Sequence, residues 1–236
     1  MKTNLIFAAL MTGVLAFSGA ARAQDEAKPE KTGQGEQRQE KKREKNRDRG
    51  EKNETTILKA GDTAPDFKLT DTDGKQYTLS ELTQSGKIVV IQWFNAMCPF
   101  VKKHYGDAGN TFNDIHTNYA SKDVVLVAIN SNADGTQGSG QKLNAQYKTD
   151  WKIQYPILLD PNGETGKAYG AKNTPAMYIV GKDGKIAYTG AIDDDSGADK
   201  PGKTNYVTNA LDQILAGETV STPSTRPYGC SVKYKK

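Results

Sequence analysis

Hydrophobic side chains fall along this chain in short unbroken runs separated by longer polar stretches. KIVVIQWFN at 87–95 and DVVLVAINS at 123–131 are runs of β-branched and aromatic residues, the pattern of strands buried on both faces. YPILLD at 155–160 predicts a third strand of the same kind. Earlier, DFKLTDTDGKQYTLSEL predicts two short strands around the turn Asp73-Gly74. Later, TPAMYIVGKDGKIAYTGAI predicts a hairpin turning at Lys182-Asp183-Gly184. The segments between read as helices. One runs from Pro99, a residue suited to a first turn, to about Tyr119. The others are SGQKLNAQYKTD, the short NGETGKAYG stopping at Gly170, and NYVTNALDQILAG closed by Gly217. Strands alternating with helices, then a hairpin and a last helix, predict an α/β domain: a central mixed β-sheet flanked by helices, with an N-terminal β-hairpin.

Three stretches lie outside that pattern. Lys2, an apolar run from Leu5 to Ala16 and the small-residue end Ala21-Arg22-Ala23 have the form of a signal peptide, placing a mature start at Gln24. The alternative, an uncleaved anchor, requires a longer run, since a span takes ~18 apolar residues. Residues 24–56 form a charged linker in which ten Lys/Arg and nine Asp/Glu fall between Gln24 and Glu54 and nearly cancel. Such a stretch buries too little to offset its ordering entropy, so disorder is expected, with at most a frayed helix over 36–49. Its KKREK cluster could touch an anionic membrane surface only weakly, because interspersed Glu neutralises it. The domain is bounded at 57–219, and residues 220–236 are expected to form a mobile tail. The domain's own charges nearly cancel, which excludes a nucleic-acid footprint. The expected compartment is periplasmic or extracellular.

Chemistry concentrates in WFNAMCPFVKK at 93–103, which holds Cys98, one of two cysteines among 236 residues. A cysteine at a helix start faces unpaired backbone N–H groups and the positive end of the helix dipole, both of which favour thiolate. Lys102, one turn on, could add a positive charge. The plainer reading of Cys98 is a small buried hydrophobe.

The opening hairpin, the strand leading to Cys98, and Lys172-Asn173-Thr174-Pro175 before AMYIV together resemble the redoxin branch of the thioredoxin fold, which joins peroxiredoxin-like and periplasmic thioredoxin-like proteins. TRPYGCSVKY resembles the tail of a secreted subgroup with a single Cys-Pro-x-Val motif. The resemblance covers about residues 60–216. It implies a thioredoxin-like fold, Cys98 as nucleophile, Pro99 beside it, a cis bond at Thr174–Pro175, and a groove in which Thr174, Pro175 and Asn95 meet substrate. Three departures matter. Val101 stands where a thioredoxin has its second cysteine. Gln92 stands where many have a buried acid. Asn95 replaces the threonine that peroxiredoxins use, and the sole arginine after Arg49 is Arg226 in the tail.

Cys230 is then the one partner left for Cys98 within the chain. Three readings follow. In the first, Cys98 attacks protein thiols or disulfides and Cys230 resolves the intermediate, the reductant being unspecified. In the second, the chain is a thiol peroxidase, for which the missing arginine is a handicap. In the third, a non-catalytic binding module is stapled by a structural disulfide contributing about 4–5 kcal/mol by chain entropy. A metal-carrier variant of the third would join Cys98, His104 or His116, and Cys230. The alternative for both histidines is a solvated helix face. Asp193-Asp194-Asp195 reads as a solvated turn. No cofactor and no metal are implied.

Overall fold

The computed structural model describes residues 58–235; the expected signal peptide and the charged linker 24–56 lie outside that range. Seven strands form one sheet: β1 Lys68–Asp71, β2 Gln76–Thr78, β3 Ile88–Trp93, β4 Val124–Asn130, β5 Ile157–Leu159, β7 Met177–Val180 and β8 Ile186–Gly190, in the order β2-β1-β5-β4-β3-β7-β8. The central β5-β4-β3 trio is parallel, while β1 on one side and β7 on the other run antiparallel to it. Every residue of β3 is buried, as its unbroken apolar run predicts. Its alternate side chains enter two cores. Ile88 and Val90 join Leu126, Met177 and Ile179 on one face; Val89, Ile91 and Trp93 join Val127, Ile129 and Tyr178 on the other.

The first face is covered by α3 Thr111–Tyr119 through Phe112 and Ile115, and by α6 Tyr206–Leu215 through Val207, Ala210 and Leu211. The second is covered by α1 Leu79–Gln84 through Leu79, and by Tyr169 at the end of α5 Glu164–Ala168. Helix α4 Gln141–Asp150 follows β4 and leads into Trp151, which lies flat on Tyr105 with ring centroids 4.6 Å apart. The N-terminal hairpin turns because Asp71 Oδ1 accepts from the N–H groups of Asp73 and Lys75.

Two expectations need correction. The helix expected from Pro99 to Tyr119 is broken. It divides into α2 Pro99–Lys102, a 3-10 turn at Gly106–Ala108, and α3. The sequence GDAGN supplies the reason: Gly106 is left-handed at φ 70°, and Gly109 is extended. A Cβ at Gly109 would come within 2.5 Å of Pro201, so the break also seats the loop before α6.

The tail is docked along its length rather than hanging free. Thr225 N–H donates to the carbonyl of Thr189 in β8 and Thr189 N–H donates to Pro223 O, Val232 N–H donates to Lys172 O, and the Tyr234 hydroxyl donates to Ala171 O. Between these anchors, β9 Cys230–Ser231 pairs antiparallel with β6 Asn173–Thr174 in a separate two-stranded ladder. Nothing in the hydrophobic pattern marks so short a strand.

Candidate active site

Strand β3 delivers the chain to one end of the sheet, where Asn95 shapes the turn. Its Oδ1 accepts from Met97 N–H at 2.9 Å and its carbonyl accepts from Cys98 N–H at 3.0 Å. Cys98 then caps α2 with extended dihedrals, and its carbonyl accepts from Val101 and Lys102. Pro99 takes the first helical position, where its missing N–H is no loss, and is exposed.

Cys98 itself is 1 % exposed. Its Sγ donates to Thr174 O at 3.1 Å. The Thr174–Pro175 bond is cis, in agreement with the resemblance, and both residues are buried. The β6–β9 ladder sets Thr174 directly opposite Cys230. Thr174 thus borders both cysteines, which are 132 residues apart in sequence and both free thiols here.

Gly229 makes that approach sterically feasible. It has φ 108°, and a Cβ there would lie 2.1 Å from Thr174 O. Asn173 Nδ2 donates to the Gly229 carbonyl at 3.1 Å and clamps the same point.

Burial pushes the Cys230 thiol up to about 12, reinforced by its hydrogen bond to Cys98 and the charge on that sulfur, with Lys233 opposing. Cys230 therefore holds its proton while Cys98 is free. The influences that come from Cys98 depend on its sulfur being free, whereas burial, the largest, does not.

Other candidates fall in different places. The side chain of Lys102 is exposed, and among the described residues no hydrogen bond or ion pair joins it to Cys98. Both polar atoms of Asn95 are committed within the chain, Nδ2 donating to Gln137 O. Gln92 is fully buried and accepts from the Tyr105 hydroxyl, which also meets Tyr155 at 2.6 Å. Arg226 is exposed and lines a surface groove with Asp194 and Tyr206.

His104 and Asp193 correct the solvated readings given to them. His104 is 0 % and Asp193 3 % exposed. Together with buried Lys103 they form a charged cluster beneath Tyr228. The Tyr228 hydroxyl donates to Asp193 Oδ1 at 2.6 Å and lies 3.3 Å from His104 Nε2. Lys103 Nζ donates to Asp195 O at 2.5 Å, stands 3.7 Å from Asp193 Oδ1, and sits 4.5 Å over the Tyr228 ring. Burial lowers the His104 pKa to about 4 against the pull of Asp193, so its imidazole is neutral. Burial and the Asp193 carboxylate push the Tyr228 phenol well above its usual range, so it stays a donor. The His104 ring nitrogens face Thr111 and Tyr228 rather than the cysteines, and among the described residues no group of three or more His, Cys, Asp or Glu is placed to hold a metal. The nearest signal in sequence was the adjacency of Lys103 and His104 to the cysteine helix; the partners, nearly a hundred residues on, were not visible.

A cysteine capping a short helix at the end of a central strand, facing a cis-proline loop, defines a thioredoxin-like oxidoreductase. Residues 59–207 match the Redoxin family, and the chain belongs to it. The thiol-disulfide oxidoreductase ResA of Bacillus thuringiensis is 28 % identical over 129 residues, which are 55 % of this chain and 68 % of that protein. ResA of Bacillus subtilis is 26 % identical over 155 residues, 63 % of this chain and 80 % of that protein. Among solved structures, an uncharacterized conserved protein from Geobacillus kaustophilus superposes with TM-score 0.68 at 31 % identity, covering 76 % of this chain and 94 % of its own. A hypothetical protein from Sinorhizobium meliloti gives 0.66 at 26 %, covering 75 % and 96 %.

Proposed function

We propose that this chain is an exported thiol–disulfide oxidoreductase in which Cys98 is the nucleophile and Cys230 the resolving cysteine. The observation that carries the reading is the ladder that sets Cys230 opposite Thr174, whose carbonyl is 3.1 Å from Cys98 Sγ. Cys98 gives up its thiol proton and attacks a disulfide of a partner protein, forming a mixed disulfide and releasing one partner thiolate, which takes up a proton. Cys230 then gives up its own proton and attacks Cys98 Sγ. The second partner sulfur leaves as a thiolate and is protonated in turn, and a Cys98–Cys230 disulfide remains. Two electrons pass to the partner, and an external thiol must restore the dithiol.

ResA relatives named for this activity support the reaction class. Disulfides are favoured over peroxide because Asn95 is committed to its turn and Arg226 lies in a groove lined by other residues. Export rests on the form of residues 1–23. The test is mixed-disulfide trapping with a reduced-protein assay. Cys98→Ser should abolish disulfide reduction, and Cys230→Ser should accumulate a covalent adduct on Cys98. Activity surviving Cys98→Ser would overturn the proposal.

A further inference from the structure

The buried cluster of Lys103, His104 and Asp193 has no part in the exchange written above, yet it grips the tail two residues before Cys230. It joins three separate segments: the end of the cysteine helix, the loop after β8, and the tail. We propose that Tyr228 is a positioning residue, whose hydroxyl, gripped by Asp193 and His104, seats the tail over Cys98 and so sets where Cys230 stands for its attack. The inference rests on Cys230 being the resolving cysteine.

The geometry gives Tyr228 two consequences of opposite sign. Its ring packs against Phe100, two residues beyond Cys98, at 6.2 Å between centroids. From there the chain passes through Gly229, which lies close on Thr174 O and the Phe100 side chain, into Cys230. With the tail so seated, Cys98 is 1 % exposed, and a partner disulfide cannot reach it unless the tail moves aside. The same seating places Cys230 for the intramolecular step. Asp193 is fixed independently, because Oδ2 accepts from Gly202 N–H at 2.6 Å and Oδ1 from Asp195 N–H at 3.2 Å. The anchor therefore survives loss of the tyrosine hydroxyl; what is lost is the tail's hold on it.

Loosening the tail should speed the first attack and slow the second. General destabilisation has no such signature. Tyr228→Phe is the sharp variant, since it keeps the ring against Phe100 and under Lys103 and removes only the hydroxyl. Reduced protein is mixed with oxidised glutathione, acid-quenched at intervals, and read by intact mass. In the first step Cys98 takes one glutathionyl sulfur and releases one glutathione thiolate. In the second Cys230 attacks Cys98, releasing the other glutathione and closing the intramolecular disulfide.

Relative to wild type, Tyr228→Phe is expected to form the adduct several-fold faster and to resolve it about tenfold slower, the scale of losing a hydrogen bond to a charged group. The Cys230→Ser protein, run beside it, should hold the adduct. If that variant clears the adduct at the wild-type rate, Cys230 is not the resolving cysteine, and the proposed function falls with this inference. If Cys230→Ser traps the adduct but Tyr228→Phe matches wild type, or slows both steps together, the positioning role alone is overturned.

Discussion

At Gly229 a single missing methyl group decides whether the tail can lie beside Cys98. Its φ of 108° is unfavourable for any other residue, and a Cβ would meet Thr174 O at 2.1 Å. Gly229→Ala should therefore lift the tail from β6 at a cost of about 1–3 kcal/mol of local stability. The expected readout is alkylation of Cys98 by iodoacetamide at least about tenfold faster than in wild type, with the fold retained. An unchanged rate would mean that the tail does not shield the thiol. His104 gives a second single-residue prediction. Its pKa is lowered by burial from 6.5 to about 4, so the unfolded chain takes up a proton that the folded one refuses as pH falls between those values. Stability is full above pH 6.5 and declines towards pH 4. The lowered Asp123 and Asp194 carboxylates act below their ordinary 3.8 and leave this window clear, though the burial-lowered His116 shares it. Urea midpoints measured from pH 7 to pH 4 should fall less steeply in His104→Gln than in wild type. Equal slopes would contradict the buried, neutral imidazole.

Among the elements, strands were legible and contacts between distant segments were not. Strands β3, β4 and β7 announce themselves because burial on both faces demands unbroken apolar runs. The two-residue β6 and β9 carry no periodicity; their pairing is imposed by the anchors of the tail on either side. The helix expected through residues 99–119 is interrupted because Gly106 and Gly109 override the apolar spacing around them. His104 and Asp193 depart from the solvated expectation for another reason. Charged and polar residues read as solvated until a partner is visible, and here each partner lies nearly a hundred residues away. The cluster they form with Lys103 yields an element-scale prediction. Lys103→Met should cost about 3–5 kcal/mol in urea denaturation, because it leaves the Asp193 carboxylate buried without its cation. Adding Asp193→Asn should recover part of that loss. A cost no larger than an exposed Lys→Met change would show the pair to be energetically idle.

At the scale of the molecule, the site's parts divide between what the fold supplies and what the tail adds. The central sheet, the cysteine at the end of β3 and the cis-proline loop were legible through their resemblance to the redoxin branch, and the family match bears that out. The tail supplies the second sulfur in place of the one missing at Val101. In the proposed mechanism the resolving cysteine stands on a separate strand and can be seated or withdrawn, which a pair within one helix turn cannot. The Cys230 thiol, held up at about 12 chiefly by burial, keeps its proton in the free dithiol.

Cys98 and Cys230, if they form a working redox pair rather than a permanent staple, must cycle in the folded protein. Intact mass with thiol labelling across a graded series of reduced and oxidised glutathione reads this. Both cysteines are expected to lose and regain their labels together, as one two-electron transition under native conditions. A bond that resists reduction until the chain is unfolded, or two thiols that titrate independently, would contradict it.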